Sequence, residues 1–372
     1  MIPVCEPTLT DNELKYVTDC IKTNWISSSG KYIKLFEDKF SEFCGTKYGV
    51  CCCNGTAALH LAIESLGIGK GDEVIIPTFT MIAAANAVIY SGAKPVLIDS
   101  EEETWNINPS LIEEKITKRT RAIMVMHTYG HPCDMNPILK IAKKHDLKVI
   151  EDAAEAHGAE YKGKMVGSLS DVAAFSFYAN KIITTGEGGM VITNDEKIAD
   201  KTRLLKDHAF TKPRFLHEQL GFNYRMTNIQ AAIGVAQMEH VNKLVEARRN
   251  NAKHYNKLLK DIEGVTLPPE KEWAKNVYWM YGILIEKEFG LTKDDVMKKL
   301  HEKGIDTRSF FVPIHKQPVY MVDDERFPDL NGSYPVAEKL YEKGLYLPSS
   351  SSLTEDQIEE IVGKIVEIKD GK

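Results

Sequence analysis

The sequence lacks the excess of positive charge that is typical of nucleic-acid-binding proteins. Its 372 residues include 47 lysines and arginines against 53 aspartates and glutamates, a formal net charge of −6. Nucleic-acid binding usually needs a basic patch or stripe, and an acidic chain has no general attraction to anionic membranes. We therefore predict no nucleic-acid or membrane partner, and any anionic ligand has to be held by a local site.

The sequence also lacks long hydrophobic runs and paired cysteine motifs. The longest apolar stretch, residues 74–90, is interrupted by polar residues and fits a buried strand, turn and helix better than a bilayer span. The opening residues, MIPVCEPTLTDNELKYV, show no basic segment followed by an apolar one, so we expect no secretory signal. Seven cysteines without a CxxC pair favour reduced thiols, no metal site and a cytoplasmic protein.

Short apolar segments alternate with amphipathic ones between about residues 50 and 195. Strand-like runs such as YGVCCC (48–53), LKVIEDA (147–153) and VAAFSF (172–177) are separated by helix-like runs such as MNPILKIAKKHD (135–146). This alternation predicts a mostly parallel sheet that is covered by helices on both faces.

After about residue 228 the pattern changes to longer helices. Residues 228–259 follow one continuous helical pattern, and WMYGILI (279–285) is strand-like. We predict that residues 1–240 form an N-terminal segment plus a large α/β domain. Residues 241–372 would form a smaller C-terminal α+β domain.

Ligands of open α/β sheets bind beyond the carboxyl ends of the strands, so the residues after each strand are the first candidates. NGTAA, residues 54–58, follows the first strand. Gly55 lets the backbone approach a ligand, and the N–H groups of Thr56 and Ala57 at a helix start favour a phosphate. An ordinary helix cap by Asn54 or Thr56 explains the same residues, and for this motif alone it is the better explanation.

Two further candidates follow later strands. A carboxylate at Asp152 needs a cation or several donors, such as a protonated pyridine nitrogen, unless it caps a helix; Glu155 is placed to face the same site. Lys181 lies in FSFYANKIITTGEGGM, residues 175–190, where apolar surroundings would favour a neutral, nucleophilic amine. A lysine that reaches solvent is the alternative. Ser176, five residues earlier, is a candidate phosphate donor.

Together these parts suit one cofactor. Pyridoxal 5′-phosphate needs a phosphate anchor, an acidic partner for its ring nitrogen and a Schiff-base lysine. The three features follow in that order on successive units of one predicted sheet. We therefore predict pyridoxal phosphate as the cofactor, with pyridoxamine phosphate as its intermediate form.

Several long motifs resemble those of the DegT/DnrJ/EryC1/StrS sugar aminotransferases, which have the fold type I of pyridoxal-phosphate-dependent transferases. The motifs are NWISSSGKYIKLFEDKF (24–40), NGTAALHLA (54–62), GDEVIIPTFT (71–80), VIEDAAEAHGA (149–159), FSFYANKIITTGEGGMV (175–191) and GFNYRMTNIQAAIG (221–234). The resemblance covers essentially the whole chain. It implies an α/β fold with a mostly parallel mixed sheet between helices and a smaller C-terminal domain.

The resemblance implies a role for each candidate residue. Lys181 would be catalytic and hold the cofactor, with Asp152 at the pyridine nitrogen and Glu155 by the phenolic oxygen. Met81 stands where the family usually has an aromatic residue over the cofactor ring, which its polarisable sulfur can cover. The phosphate would be held by Gly55, Thr56, Ala57, Ser176 and, from the other subunit of a homodimer, Asn223.

Within the family, the sequence is most similar to members that aminate C4 of GDP-linked 4-keto-6-deoxymannose with glutamate as the amino donor. His315 is the candidate contact for the sugar or nucleotide, and Arg225 and Arg308 are candidates for a carboxylate or diphosphate. An exposed loop histidine and structural ion pairs are the alternatives for these residues.

Other functions stay open at this point. A UDP- or dTDP-linked sugar, amination at C3, and a non-catalytic cofactor-binding module are alternatives. A dehydratase of the same fold is disfavoured, because the relevant dehydratases replace the lysine with histidine and this chain has Lys181.

Overall fold

The computed structural model describes residues 1–213 and 215–371. The helices are α1 (Asp11–Lys22), α2 (Lys31–Cys44), α3 (Gly55–Ser65), α4 (Ala83–Tyr90), α5 (Met135–Lys144), α6 (Glu196–Lys206), α7 (Asn228–Met238), α8 (Val241–Leu259), α9 (Lys293–Glu302), α10 (Pro335–Lys343) and α11 (Glu355–Lys369). The strands are β1 (Tyr48–Cys52), β2 (Glu73–Pro77), β3 (Lys94–Ile98), β4 (Thr120–Met126), β5 (Lys148–Asp152), β6 (Glu160–Tyr161), β7 (Lys164–Met165), β8 (Val172–Ser176), β9 (Gly189–Thr193), β10 (Val265–Thr266), β11 (Ala274–Lys275), β12 (Tyr281–Ile285), β13 (Arg308–Ser309) and β14 (Gly344–Leu347).

The large sheet has the strand order β1-β9-β8-β5-β4-β2-β3. The strands from β8 to β3 pair in parallel, whereas β9 runs antiparallel to both β8 and β1. The carboxyl ends of β4, β5 and β8 therefore lie at one edge, where Met126 pairs with Asp152 and Asp152 with Ala174. The predicted α/β fold with a mostly parallel mixed sheet is confirmed.

The antiparallel strand brings a further segment to the same edge. Gly189, at the start of β9, pairs with both Ser176 of β8 and Cys52 of β1. The turn that follows Cys52 consequently lies beside Ser176, and a β-carbon on Gly55 would be only 2.7 Å from Ser176 Cβ. Asn54 caps the start of α3 at this point, where its side chain accepts a hydrogen bond from the Ala57 N–H.

The prediction of one helix over residues 228–259 is wrong, because the chain forms α7 and α8 with a break at Glu239 and His240. The Glu239 carboxylate accepts hydrogen bonds from Asn12 and Tyr16 on α1. Helix α7 packs against α1 and α2, whereas α8 packs against α11. The break lets one continuous amphipathic pattern cover two different surfaces.

A second sheet, with the order β10-β12-β14-β13, forms in the C-terminal part of the chain. Residues of this sheet and of α8, α9 and α11 share a second apolar core. Trp279 and Phe310 from the same part pack instead into the core beside the large sheet. The domain division between residues 240 and 241 stays a prediction. None of the helices in the described part has the length and apolar content that a bilayer span requires.

Candidate active site

A cavity of about 450 Å³ opens where β5 and β8 end and α3 begins. Cofactor and ligand sites commonly have volumes of this order. The cavity is lined by seven of the predicted site residues, which are Gly55, Thr56, Met81, Asp152, Glu155, Ser176 and Lys181. The sheet thus brings these side chains together from segments that are far apart in sequence.

The Lys181 amine is enclosed by the wall of this cavity. Its side chain is 10% exposed, and Nζ lies 3.8 Å from Glu155 Oε1 and 3.5 Å from the ring centroid of Trp279. Burial lowers the pKa of the Lys181 amine, although the charges of Glu155 and Asp152 act to raise it. The alternative of a lysine that reaches solvent does not describe this side chain.

Glu155 faces the amine with a carboxyl that is itself buried. Burial raises the pKa of Glu155, although the charge of Lys181 and a hydrogen bond from the Tyr129 N–H act to lower it. That N–H lies 2.9 Å from Glu155 Oε2, and Tyr129 adopts a left-handed φ of 52°, which is uncommon outside glycine. Burial favours the neutral form of both partners, so a proton can be held by either the amine or the carboxyl.

Asp152 places a second buried carboxyl in the cavity at the end of β5. It is 4% exposed, and its Oδ1 accepts a hydrogen bond from the Ala154 N–H at 3.2 Å. Burial raises the pKa of Asp152, while this hydrogen bond and the charges of Lys181 and His127 act to lower it. A buried carboxylate needs a cation or several donors, so this position suits a positively charged ligand atom.

The start of α3 supplies donors for an anion. The first N–H groups of a helix have no partner within the helix. The Ala57 N–H donates to Asn54 Oδ1 at 2.8 Å, as the helix-cap alternative predicts, and the contact of Ala57 with a phosphate stays a prediction. In the described part of the chain, the N–H groups of Gly55 and Thr56 make no hydrogen bond. Together with the Thr56 and Ser176 hydroxyls they can bind a phosphate.

Met81 lies at the mouth of the cavity and is 45% exposed. Its sulfur accepts a hydrogen bond from the Ala83 N–H, 3.1 Å away, at the start of α4. The coverage of a cofactor ring by Met81 stays a prediction.

His315 does not line the cavity. Its Nδ1 is 2.7 Å from Thr78 Oγ1 and its Nε2 is 3.2 Å from Glu338 Oε1. The alternative of an exposed loop histidine is wrong, because the side chain is 7% exposed, while the contact of His315 with the sugar or nucleotide stays a prediction. His315 links the loop after β2 to α10, and nothing in this geometry supports direct contact with a ligand in the cavity.

The three remaining predicted residues also lie outside the cavity of their own chain. Arg225 pairs with Asp207, and Arg308 pairs with Asp306, as the ion-pair alternative predicts. Asn223 is exposed, so it is accessible to a second subunit. The binding roles of these residues stay predictions.

Two important residues were missed from the sequence. Trp279 lies in the strand-like run 279–285 but precedes β12, which begins at Tyr281. Tyr129, whose N–H donates to Glu155, lies beyond the end of β4 at Met126 and was not a candidate. Besides Trp279, the unpredicted residues that line the cavity are Asn54, Leu59, Ala83, Met126, Ala154, Tyr178, Asn180, Glu187, Phe311 and Tyr346. Tyr178 and Asn180 could have been found from their nearness to Lys181 in sequence.

Comparisons with known proteins agree with this geometry. The DegT/DnrJ/EryC1/StrS aminotransferase family model matches residues 7–366. The chain belongs to this family. Its predicted class, an aminotransferase, is therefore confirmed.

Individual relatives cover nearly the whole chain. A GDP-perosamine synthase from Caulobacter vibrioides is 46% identical over 99% of this chain and 98% of its own length. Another from Escherichia coli O157:H7 is 45% identical over 96% of this chain and 95% of its own length. A solved structure of the putative sugar aminotransferase Spr1654 from Streptococcus pneumoniae, in its PLP form, has a TM-score of 0.91 and 25% identity. That match covers 100% of this chain and 99% of the solved one.

Proposed function

We propose that this family member transfers the amino group of L-glutamate to C4 of GDP-4-keto-6-deoxy-D-mannose and so forms GDP-perosamine, with pyridoxal phosphate as its cofactor. The main support for the chemistry is the buried Lys181 amine in a cavity that also contains Asp152 and Glu155. The sugar is supported by the two relatives named GDP-perosamine synthase, at 46% and 45% identity.

The residues of the cavity fit pyridoxal phosphate. The N–H groups at the start of α3 border a space that a β-carbon on Gly55 would partly fill, and Asp152 offers a buried carboxyl to a protonated pyridine nitrogen. When bound, this cofactor supplies an electron sink and carries the amino group between the two substrates.

We infer the following roles for the residues of the chain. Gly55, Thr56 and Ser176 bind the phosphate, and Asp152 keeps the ring nitrogen protonated. Burial favours the neutral form of Lys181, so its amine can remove the α-proton of glutamate and deliver a proton at C4 of the sugar. Glu155, 3.8 Å from Lys181 Nζ, is placed to share the proton that the amine gains.

We also propose that the functional unit is a homodimer in which Asn223 binds the cofactor phosphate of the other subunit. Asn223 is exposed and does not line the cavity of its own chain. Exposed apolar side chains, including Trp25, Ile26 and Leu220, are suited to burial against a second copy.

A panel of keto sugars tests the proposal. The purified protein is incubated with glutamate and GDP-, UDP- or dTDP-linked 4-keto-6-deoxy sugars, and products are identified by mass spectrometry and NMR. We expect amination of the GDP-linked sugar at C4, and no turnover by Lys181→Arg, which cannot replace the lysine as nucleophile.

Two results would contradict different parts of the proposal. Preference for a UDP- or dTDP-linked sugar, or amination at C3, would refute the substrate. A protein that remains colourless with pyridoxal phosphate, or a Lys181→Arg variant that turns over, would refute the assigned cofactor site.

A further inference from the structure

Trp279 contacts the Lys181 amine and the main chain beside it at the same time. Lys181 Nζ lies 3.5 Å from the centroid of the indole ring, and the indole N–H donates a hydrogen bond to the Asn180 carbonyl oxygen at 2.8 Å. One ring therefore holds both ends of the lysine: the carbonyl just before it and the nitrogen at its tip. The distance from the amine to its own main chain is fixed by these two contacts.

Trp279 is itself held firmly. It is 3% exposed, and its carbonyl oxygen accepts a hydrogen bond from Arg248 Nη1 at 2.5 Å. The chain packs closely against Gly130, since a β-carbon there would be 3.0 Å from the Trp279 backbone nitrogen. A ring that is fixed through its main chain can position a flexible side chain such as lysine.

We propose that Trp279 is a positioning residue for Lys181, whose ring face holds the ammonium form of the amine and whose indole N–H fixes the chain before it. The face of an indole ring attracts a cation, and the attraction is strongest where water is excluded. The amine of a transaminase has to gain and release a proton in each half-reaction. Trp279 would keep the amine in place while it is charged, with Glu155 Oε1 at 3.8 Å as the nearby carboxyl.

The indole ring acts on the amine together with several charged and titratable groups around it. Burial lowers the pKa of Lys181, and the two carboxyls of the cavity act to raise it. The ring favours the ammonium form as well, but adds no titrating group. The charged and titratable residues that act on the amine are Asp152, Glu155, Cys5, Arg248 and His157.

Competitive acetylation of the cofactor-free protein tests this inference. Acetylation of Lys181 is followed by peptide mass spectrometry over a series of pH values, which gives the apparent pKa of this one amine. Trp279→Met keeps an apolar side chain without a ring, and we expect it to lower that pKa by about one unit. Trp279→Phe retains a ring face, so we expect a clearly smaller decrease.

Kinetics supply the second readout. We expect Trp279→Met to reduce kcat more than it changes KM for glutamate, and to shift the acidic limb of the kcat profile to lower pH. Trp273→Met is the matched control, because Trp273 packs against Tyr161 and His131 outside the cavity, and it should leave both quantities unchanged.

An unchanged Lys181 pKa in Trp279→Met overturns the inference, as does a loss of kcat without a shift of the pH profile. If Trp279→Met does not fold, Trp279→Phe is the deciding variant. A decrease of the Lys181 pKa in Trp279→Phe as large as that expected for removal of the ring overturns the inference. The inference rests on the proposed role of Lys181, but the acetylation assay needs neither cofactor nor substrate. Failure of the proposed function would instead show as Lys181→Arg retaining turnover.

Discussion

At the scale of single residues, burial in one cavity changes three ionisable groups in ways that suit proton transfer. It lowers the pKa of Lys181 and raises those of Asp152 and Glu155. The amine and the two carboxyls thereby approach each other in proton affinity. A proton can then move between them with a smaller difference in free energy than between an exposed lysine and an exposed carboxylate.

Replacement of Asp152 tests its proposed partnership with a cationic ring nitrogen. We expect Asp152→Asn to reduce kcat by at least about a hundredfold, because a preorganised charge beside the reacting group is lost. Stopped-flow absorbance of the half-reaction with glutamate measures the effect. Asp72→Asn is a control, because Asp72 lies before β2, at the opposite edge of the sheet. Equal rates for wild type and Asp152→Asn would contradict the assignment.

Site residues that follow strands were predictable from the sequence, because the carboxyl ends of parallel strands lie at the same edge of a sheet. Lys181 and Asp152 were found in this way, and Ser176 was found from its position five residues before Lys181. Trp279 and Tyr129 were not, since Trp279 reaches the cavity from the C-terminal part of the chain, and the hydrogen bond from the Tyr129 N–H to Glu155 depends on an unusual backbone angle. The burial of His315 was not predictable, because its partners, Thr78 and Glu338, cannot be recognised without tertiary contacts.

At the scale of elements, the site depends on the close approach of α3 to β8. Asn54 fixes where the helix begins, and Gly55 allows the helix start to approach Ser176. The orientation of the first N–H groups follows from these two residues. A helix that began one residue later would not present the same donors to an anion.

Substitution of Gly55 tests the role of this contact. A β-carbon at Gly55 would lie 2.7 Å from Ser176 Cβ, so Gly55→Ala should displace the helix start and weaken cofactor binding. We expect at least about a tenfold increase in the Kd for pyridoxal phosphate, equivalent to roughly 1.4 kcal/mol, measured by absorbance titration.

Gly363→Ala is the matched control for this experiment. Gly363 lies within α11, and a β-carbon there would meet no atom within 4 Å. Alanine favours a helix by up to about 1 kcal/mol over glycine, so this variant should melt at a slightly higher temperature with unchanged cofactor affinity. Identical Kd values for Gly55→Ala and Gly363→Ala would contradict the close-contact argument.

His131, in the loop after β4, leads to a separate prediction about how the stability of the fold depends on pH. His131 Nδ1–H donates to the Pro132 carbonyl at 2.7 Å, and its Nε2 accepts from the Lys271 N–H at 3.2 Å, so the neutral ring is fully bonded. Burial lowers the pKa of His131 to about 4, below the ordinary value of 6.5. Between these values the unfolded chain binds a proton and the folded chain does not. Stability is therefore lost as the pH falls through this window, by a total on the order of 3 kcal/mol.

Urea unfolding at about pH 7 and about pH 5 measures this effect. His131→Gln retains a donor and an acceptor but does not titrate, so its free energy of unfolding should fall less between the two pH values. His301→Gln changes an exposed histidine and should behave as the wild type does. A pH dependence of His131→Gln equal to that of wild type would refute the prediction.

Element types were predictable from hydrophobic periodicity, and the bounds of most strands agree closely with the sequence pattern. The break between α7 and α8 was not predictable, because neither glycine nor proline marks it. Contacts of Glu239 with Asn12 and Tyr16 hold the break, and a local pattern contains no information about such distant partners.

At the scale of the whole molecule, one chain supplies the amine, the carboxyls and the helix start, but it leaves Asn223 outside the cavity. If the proposed dimer is correct, each site combines residues of two chains. The number of working sites then depends on how subunits are paired as well as on how each chain folds.

Mixed dimers test this arrangement. Lys181→Arg and Asn223→Ala subunits are each inactive alone in the proposal, but a heterodimer has one site with both residues intact. After random exchange of subunits we expect about a quarter of wild-type activity, because half of the dimers are mixed and each has one working site. Activity no higher than the sum of the two separate variants would place Asn223 and Lys181 in the same chain's site, or show that no dimer forms.

The antiparallel strand β9 also determines when, during folding, the site can form. Gly189 joins Cys52 and Ser176 in one row of the sheet, so α3 reaches Ser176 only after an early strand has paired with a much later one. Pairings of such long sequence separation close slowly, because a large loop must lose its freedom first. A newly made chain should therefore acquire affinity for a phosphate only near the end of folding. Binding of the cofactor would then indicate that the large sheet has formed completely.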